Sequence, residues 1–136
     1  MRLRRSVLIP CIALVACLTA CTPAQKAWFR QYVANYSIPT SVEPVMQCIK
    51  DHESGNYDEH SHPDGSTGAY QFEGSTWRTW FGRWRDAVEF RGSDYYLAYE
   101  APPLIQDAVT AYTLTHGGAH NWDPAYGNDP CTVGLP

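Results

Sequence analysis

ESGNYDEHSHPDGSTGAYQFEGSTW, residues 53–77, is the stretch whose reading decides the fold. Just ahead of it Val45, Met46 and Ile49 are spaced for one apolar face of a helix. Ser41 is the expected N-cap of that helix, Pro44 is tolerated in its first turn, and Gly55 stops it after about Glu53 or Ser54. Glu53 therefore belongs to the last turn, where the negative end of the helix dipole disfavours ionisation of a carboxylate. Beyond it Pro63, Asp64, Gly65 and Gly68 are turn residues set among Tyr-rich pieces, which predicts a loop or a small irregular β hairpin.

Working outward, Ser75 is the expected cap of a helix from Thr76 to about Trp84, with Arg85 to Phe90 continuing it or starting a new turn. Trp77, Trp80 and Trp84 share one side of it; one is expected to face the core and another to rim a cleft. Pro102 and Pro103 open the clearest helix, with Ile105, Ala108, Val109 and Tyr112 as its stripe and Gly117 and Gly118 at its end. Upstream, Ala24 to Tyr36 reads as a packing helix with Trp28, Phe29, Tyr32 and Val33 on one side. The expected fold class is α+β, mainly α with a minor β element, in one modest domain.

The N-terminus carries Arg2, Arg4 and Arg5, then an apolar run from Val7 to Leu18 that is short for a bilayer span and fits a secretory signal over residues 1–20. Leu18-Thr19-Ala20-Cys21 resembles the lipobox at which a bacterial signal peptidase cuts before a lipidated cysteine. Two or more acyl chains, each contributing about 0.8 kcal/mol per buried CH₂, hold a protein stably on a membrane. The expected location is the extracytoplasmic face of the cell envelope, with plain secretion as the alternative. Residues 21–40 then form the lipidated N-terminus and first helix, and residues 41–136 form the main domain.

Cysteine arithmetic follows from that reading. Of the five cysteines, Cys11 and Cys17 leave with the signal and Cys21 takes the lipid, so Cys48 and Cys131 remain to form a disulfide in an oxidising compartment. Closing so long a loop stabilises by about 4 to 5 kcal/mol in the chain-entropy model. The whole chain has a formal net charge of −4; removing three of its ten basic residues with the signal leaves seven against fourteen acidic ones, a net of −7. That acidity argues against an anionic nucleic acid partner. Nothing in the pattern requires a second copy, and a monomer is expected.

Several residues bear chemistry. A two-carboxylate glycosidase needs a second acid about 5 to 9.5 Å from the first, and Asp58, Glu59, Asp64 and Glu73 are the nearby candidates beside Glu53, each fitting a solvated loop charge. Tyr57, Tyr70, Trp77 and Trp122 offer flat faces for sugar rings or, equally, core packing. Ser54 has no clear activating base and fits a role in fixing the backbone beside Glu53. His52, His60 and His62 invite a zinc reading, but the HExxH pattern is broken at Asn56, so neither a metal nor a cofactor is expected. His116, ahead of a double glycine, suits a helix end.

The ordered series Glu53-Ser54, Gly65-x-x-Gly68-x-x-Gln71-Phe72, Ser75-Thr76-Trp77, the Gln106 helix and His116-Gly117-Gly118 before Trp122 and Cys131 resembles the transglycosylase-like domain of resuscitation-promoting factors. It is also similar to the wider lysozyme-like, soluble lytic transglycosylase superfamily. The resemblance runs from about Val42 to Cys131 and implies a lysozyme-like fold acting on peptidoglycan glycan strands. By position Glu53 is the implied acid, protonating the oxygen between N-acetylmuramic acid and N-acetylglucosamine, with burial against Tyr70 or Trp77 expected to keep it neutral. As a carboxylate it would next take the proton of the muramic 6-hydroxyl, which closes a 1,6-anhydro ring. Gln71 is implied to face the saccharide, its alternative being an amide that satisfies the turn. Hydrolysis of the same bond by water and a non-catalytic peptidoglycan-binding module are the alternatives. In the family the cysteine stands directly before the glutamate, whereas Cys48 stands five positions ahead of Glu53, more than a helical turn away.

Overall fold

The structure, a computed structural model, describes residues 22–60, 63–122 and 130–132. The signal segment, the lipobox with Cys21, and His62 lie outside the described residues. The chain divides into two compact units, residues 1–35 and 36–136. In the first, α1 spans Pro23–Asn35. Trp28 and Tyr32, four apart, stack with ring centroids 4.8 Å from each other, and the Asn35 amide donates to Gln31 O at 2.8 Å in the last turn.

The second unit is mainly helical. Its helices are α2 (Glu43–His52), α3 (Gly74–Ala87) and α4 (Pro103–Thr115), with 3₁₀ turns at Ala98–Glu100, Ala119–Trp122 and Pro130–Thr132. α2 and α3 both pack on α4, and the Pro130–Thr132 turn lies against α2. Met46 and Ile49 of α2 and Ile105, Ala108 and Val109 of α4 are buried, the stripes expected from their spacing. The buried Thr110 and Thr113 hydroxyls donate to Gln106 O and Val109 O, so these polar groups cost little inside the core.

Three expectations are corrected. Ser41 is not the cap of α2: Val42 stands at N-cap without a side-chain bond, and the Val42 and Glu43 N–H groups are met by Pro39 O instead. Ser75 lies inside the first turn of α3, whose N-cap is Glu73. The β element shrinks to one antiparallel bridge, Thr67 with Phe72, among the described residues. Its paired N–H···O bonds, both 3.0 Å, close a turn over Gly68–Gln71, where Gly68 has φ +76° and Gln71 φ +51°. Two left-handed residues within one bridge leave no extended run for a ladder.

The core is aromatic. Trp77, Trp80 and Trp84 are all buried, and Trp80 also lines a groove at the start of α3. Trp77 stacks on Phe81 at 5.6 Å, and Phe81 meets Trp84, Phe90 and Tyr95 at 5.7–6.0 Å. Gly118 ends α4 where a Cβ would strike Thr113 and Trp80, so α3 and the α4 end approach closely only because that side chain is missing.

Candidate active site

α2 ends where the predicted site begins. The Glu53 N–H donates to Ile49 O at 2.8 Å as C-cap, and Gly55, at φ +63°, turns the chain away. The Gly55 N–H then donates to Ala69 O at 3.1 Å, and Ser54 Oγ accepts from the Asn56 N–H at 2.9 Å while lying 3.4 Å from Gly68 O. The Glu53-Ser54 turn and the Gly68–Gln71 turn are thus bonded side by side. Ser54 acts on the backbone, as its lack of an activating base suggested.

α4 holds the second turn and the chain just after the first. Gln106 is 1 % exposed; its Oε1 accepts from the Ala69 N–H at 3.1 Å and its Nε2 donates to Tyr57 O at 3.0 Å and Ala101 O at 2.9 Å. A Cβ at Gly68 would collide with that Gln106 Oε1, a second reason besides its φ for glycine there. Next door, Asp107 Oδ1 accepts from both the Tyr57 hydroxyl, at 2.8 Å, and the Tyr70 hydroxyl, at 2.6 Å. Lys50 of α2 donates to the Tyr57 hydroxyl at 3.3 Å and stands 5.7 Å and 5.8 Å from the centroids of the Tyr57 and Tyr70 rings. Burial first, then the bond and charge of Asp107, push the Tyr57 hydroxyl up to about 12 and raise Tyr70 well above the usual tyrosine range. Both rings are therefore neutral donors at neutral pH.

Sequence reasoning quoted Gln106 without a role and missed Lys50 and Asp107. One signal was present: an amide and a carboxylate side by side in the first turns of an otherwise apolar helix. Polar side chains in such a place need partners, and the polar loop 54–72 supplies them.

The predicted site residues are only partly brought together. Glu53 is exposed, so the apolar pocket expected from Tyr70 and Trp77 does not enclose it. Tyr70, Trp77 and Trp122 are 1 %, 0 % and 6 % exposed, which leaves no free face for a sugar and corrects their assignment as stacking platforms. The Trp77 indole N–H donates to Tyr95 O and that of Trp122 to Tyr70 O, both at 2.9 Å, as core indoles require. Tyr57 is half-buried. Gln71 donates to Gly68 O at 2.9 Å, satisfying its own turn, while its buried Oε1 has no hydrogen-bond partner among the described residues. Of the candidate second acids, Asp58, Asp64 and Glu73 are exposed and Glu59 is half-buried.

The histidines part company. His52 lies against the disulfide, His60 packs at 5.1 Å from the Tyr99 ring, and His116 stacks on Tyr112 at 3.8 Å with Nδ1 2.8 Å from Tyr112 O, at the helix end expected for it. Cys48 and Cys131 are joined by the expected disulfide, with Cα atoms 5.5 Å apart, which ties α2 to the Pro130–Thr132 turn. No helix among the described residues is long and apolar enough to cross a membrane. A groove of about 320 Å³ between the start of α3 and the Ala119–Trp122 turn contains none of the predicted site residues. No known protein family, curated protein or solved structure matches this chain.

Proposed function

We propose that the chain is an envelope lipoprotein, anchored through Cys21, whose lysozyme-like domain cleaves the MurNAc-GlcNAc bond of peptidoglycan as a lytic transglycosylase. The observation that carries this reading is the bonding of the Glu53-Ser54-Gly55 turn to the Gly68–Gln71 turn, with Gln106 holding Ala69 of the second turn and Tyr57 just beyond the first. That arrangement puts the acid of the motif series beside its glutamine turn. Glu53 protonates the glycosidic oxygen and then, as a carboxylate, receives the proton of the muramic 6-hydroxyl. Because Glu53 is exposed, the bound glycan itself must strip water from it, so the acid becomes effective on binding.

Digestion of purified sacculi tests the proposal. The wild-type chain is expected to release muropeptides with 1,6-anhydro ends, and Glu53→Gln to release none while keeping its helical circular dichroism. Retained lysis in Glu53→Gln overturns the assignment, and reducing ends turn it into a hydrolysing muramidase. The exposure of Glu53, outside the apolar pocket that keeps a catalytic acid protonated, favours one second reading, a peptidoglycan-binding module without turnover. Binding of chitooligosaccharides by a wild-type chain that lyses nothing would establish it.

A further inference from the structure

We propose that reduction of the Cys48–Cys131 disulfide converts the end of α2 into a Zn²⁺ site made by Cys48, His52 and Cys131. Cys48 and His52 are four apart on one helix and therefore share a face, the spacing at which helices present paired metal ligands. Cys131 comes to them from the Pro130–Thr132 turn packed on α2. Nδ1 of His52 lies 3.6 Å from Cys131 Sγ and 3.9 Å from Cys48 Sγ, and the three ligand atoms all fall within 4.8 Å of one another.

Those distances match a tetrahedron around zinc. With Zn–S near 2.3 Å and Zn–N near 2.0 Å, the S···N edge is about 3.5 Å and the S···S edge about 3.8 Å. The histidine already stands at an edge length from each sulfur, so loading requires only that the two sulfurs part. Nδ1 now lies 3.0 Å from Cys48 O on the exposed face of the helix; as a ligand it gives up that bond, which water replaces. Two thiolates and an imidazole select Zn²⁺ over Mg²⁺ or Ca²⁺, and three protein ligands leave the fourth position to water. His52 is exposed and Cys48 half-buried, so the ion has a route in.

The chemistry balances. A dithiol passes two electrons and two protons to the Cys48–Cys131 bond and closes into its own cyclic disulfide, leaving two thiols. Zn²⁺ then displaces the two thiol protons as it binds. While the disulfide stands, the sulfurs have no thiolate to offer and the site is shut. The proposal is independent of any reaction at Glu53.

The test uses the full chain with Cys11, Cys17 and Cys21 changed to serine, so that Cys48 and Cys131 are its two cysteines, oxidised or reduced with a phosphine, and titrates it with Zn²⁺ alone and with Co²⁺ as a coloured stand-in. The reduced chain is expected to bind one equivalent with thiolate-to-cobalt charge-transfer bands, and the oxidised chain to show none. His52→Ala should weaken binding at least about tenfold, since even outer partners of metal ligands are worth that much. Equal binding by the oxidised chain, absence of binding by the reduced chain, or an unchanged affinity in His52→Ala overturns the site. Should the reduced chain lose its helical circular dichroism, its recovery on adding Zn²⁺ supports the proposal and failure to recover overturns it.

Discussion

The segments 54–72 and 74–90 follow one another in the chain but are held by different forces. The first has few apolar side chains and is fixed by directed bonds: Gln106 to Ala69 N, Tyr57 O and Ala101 O, and Asp107 to two tyrosine hydroxyls. The second is fixed by stacked and edge-on rings around Phe81. Directed bonds hold a backbone in one conformation without needing a continuous apolar face. Ring packing gives more stability per residue but leaves no free faces.

The sharpest way to break the comparison is to remove a ring. Trp77→Ala deletes a 0 % exposed indole and orphans Tyr95 O, and is expected to cost about 3 to 5 kcal/mol in denaturant unfolding. A loss below about 1 kcal/mol would mean that the α3 side is not the stability centre.

Next comes the polar staple. Gln106→Ala strands the Ala69 N–H and two carbonyls in a buried place, a loss of about 3 kcal/mol on the usual cost of unsatisfied groups. The signature is local: amide exchange should accelerate at Ala69 beyond any acceleration at α3 amides. Uniform acceleration across both regions would show that they open as one unit and that the contrast between them is not energetic.

How much of this was legible follows from the same contrast. The helices of the second unit, the Gly55 stop, the Pro102-Pro103 start and the disulfide could be read because each rests on local backbone chemistry or on counting. Gly68 was visible as a turn residue, but its reason, the approach of Gln106, comes from a helix far along the chain. Asp107 could not be paired with Tyr57 and Tyr70 from spacing, since any of the chain's acids looked equally free. The tryptophans misled for the opposite reason: a ring suited to a sugar is equally suited to a core, and in a domain this small the core takes it.

A gentler probe is alkaline pH. In the unfolded chain tyrosine releases its proton near pH 10, whereas folded Tyr57 holds it to about 12 and Tyr70 is raised as well. The folded state therefore binds more protons above pH 10, so the stabilisation is complete below that pH and is lost as pH rises through 12. Because burial is the first cause of the Tyr57 shift, Asp107→Asn should lower its titration midpoint below 12 yet leave it above 10. A midpoint unchanged by that substitution, followed by tyrosinate absorbance, would remove Asp107 from the loop-holding network.

The smallest effect belongs to Ser41, and its smallness is the point. A serine that caps α2 would be worth about 1 kcal/mol on replacement by alanine. Here Val42 occupies the N-cap, Pro39 O receives the Val42 and Glu43 N–H groups at 3.0 and 3.2 Å, and Ser41 is exposed. Pro44 removes a further N–H that would otherwise need a partner. With the first turn satisfied by backbone, Ser41→Ala should change unfolding stability by less than about 0.5 kcal/mol. A loss near 1 kcal/mol would restore the side-chain cap. The start of α2, like the Glu53-Ser54 turn at its end, would then depend on a serine oxygen.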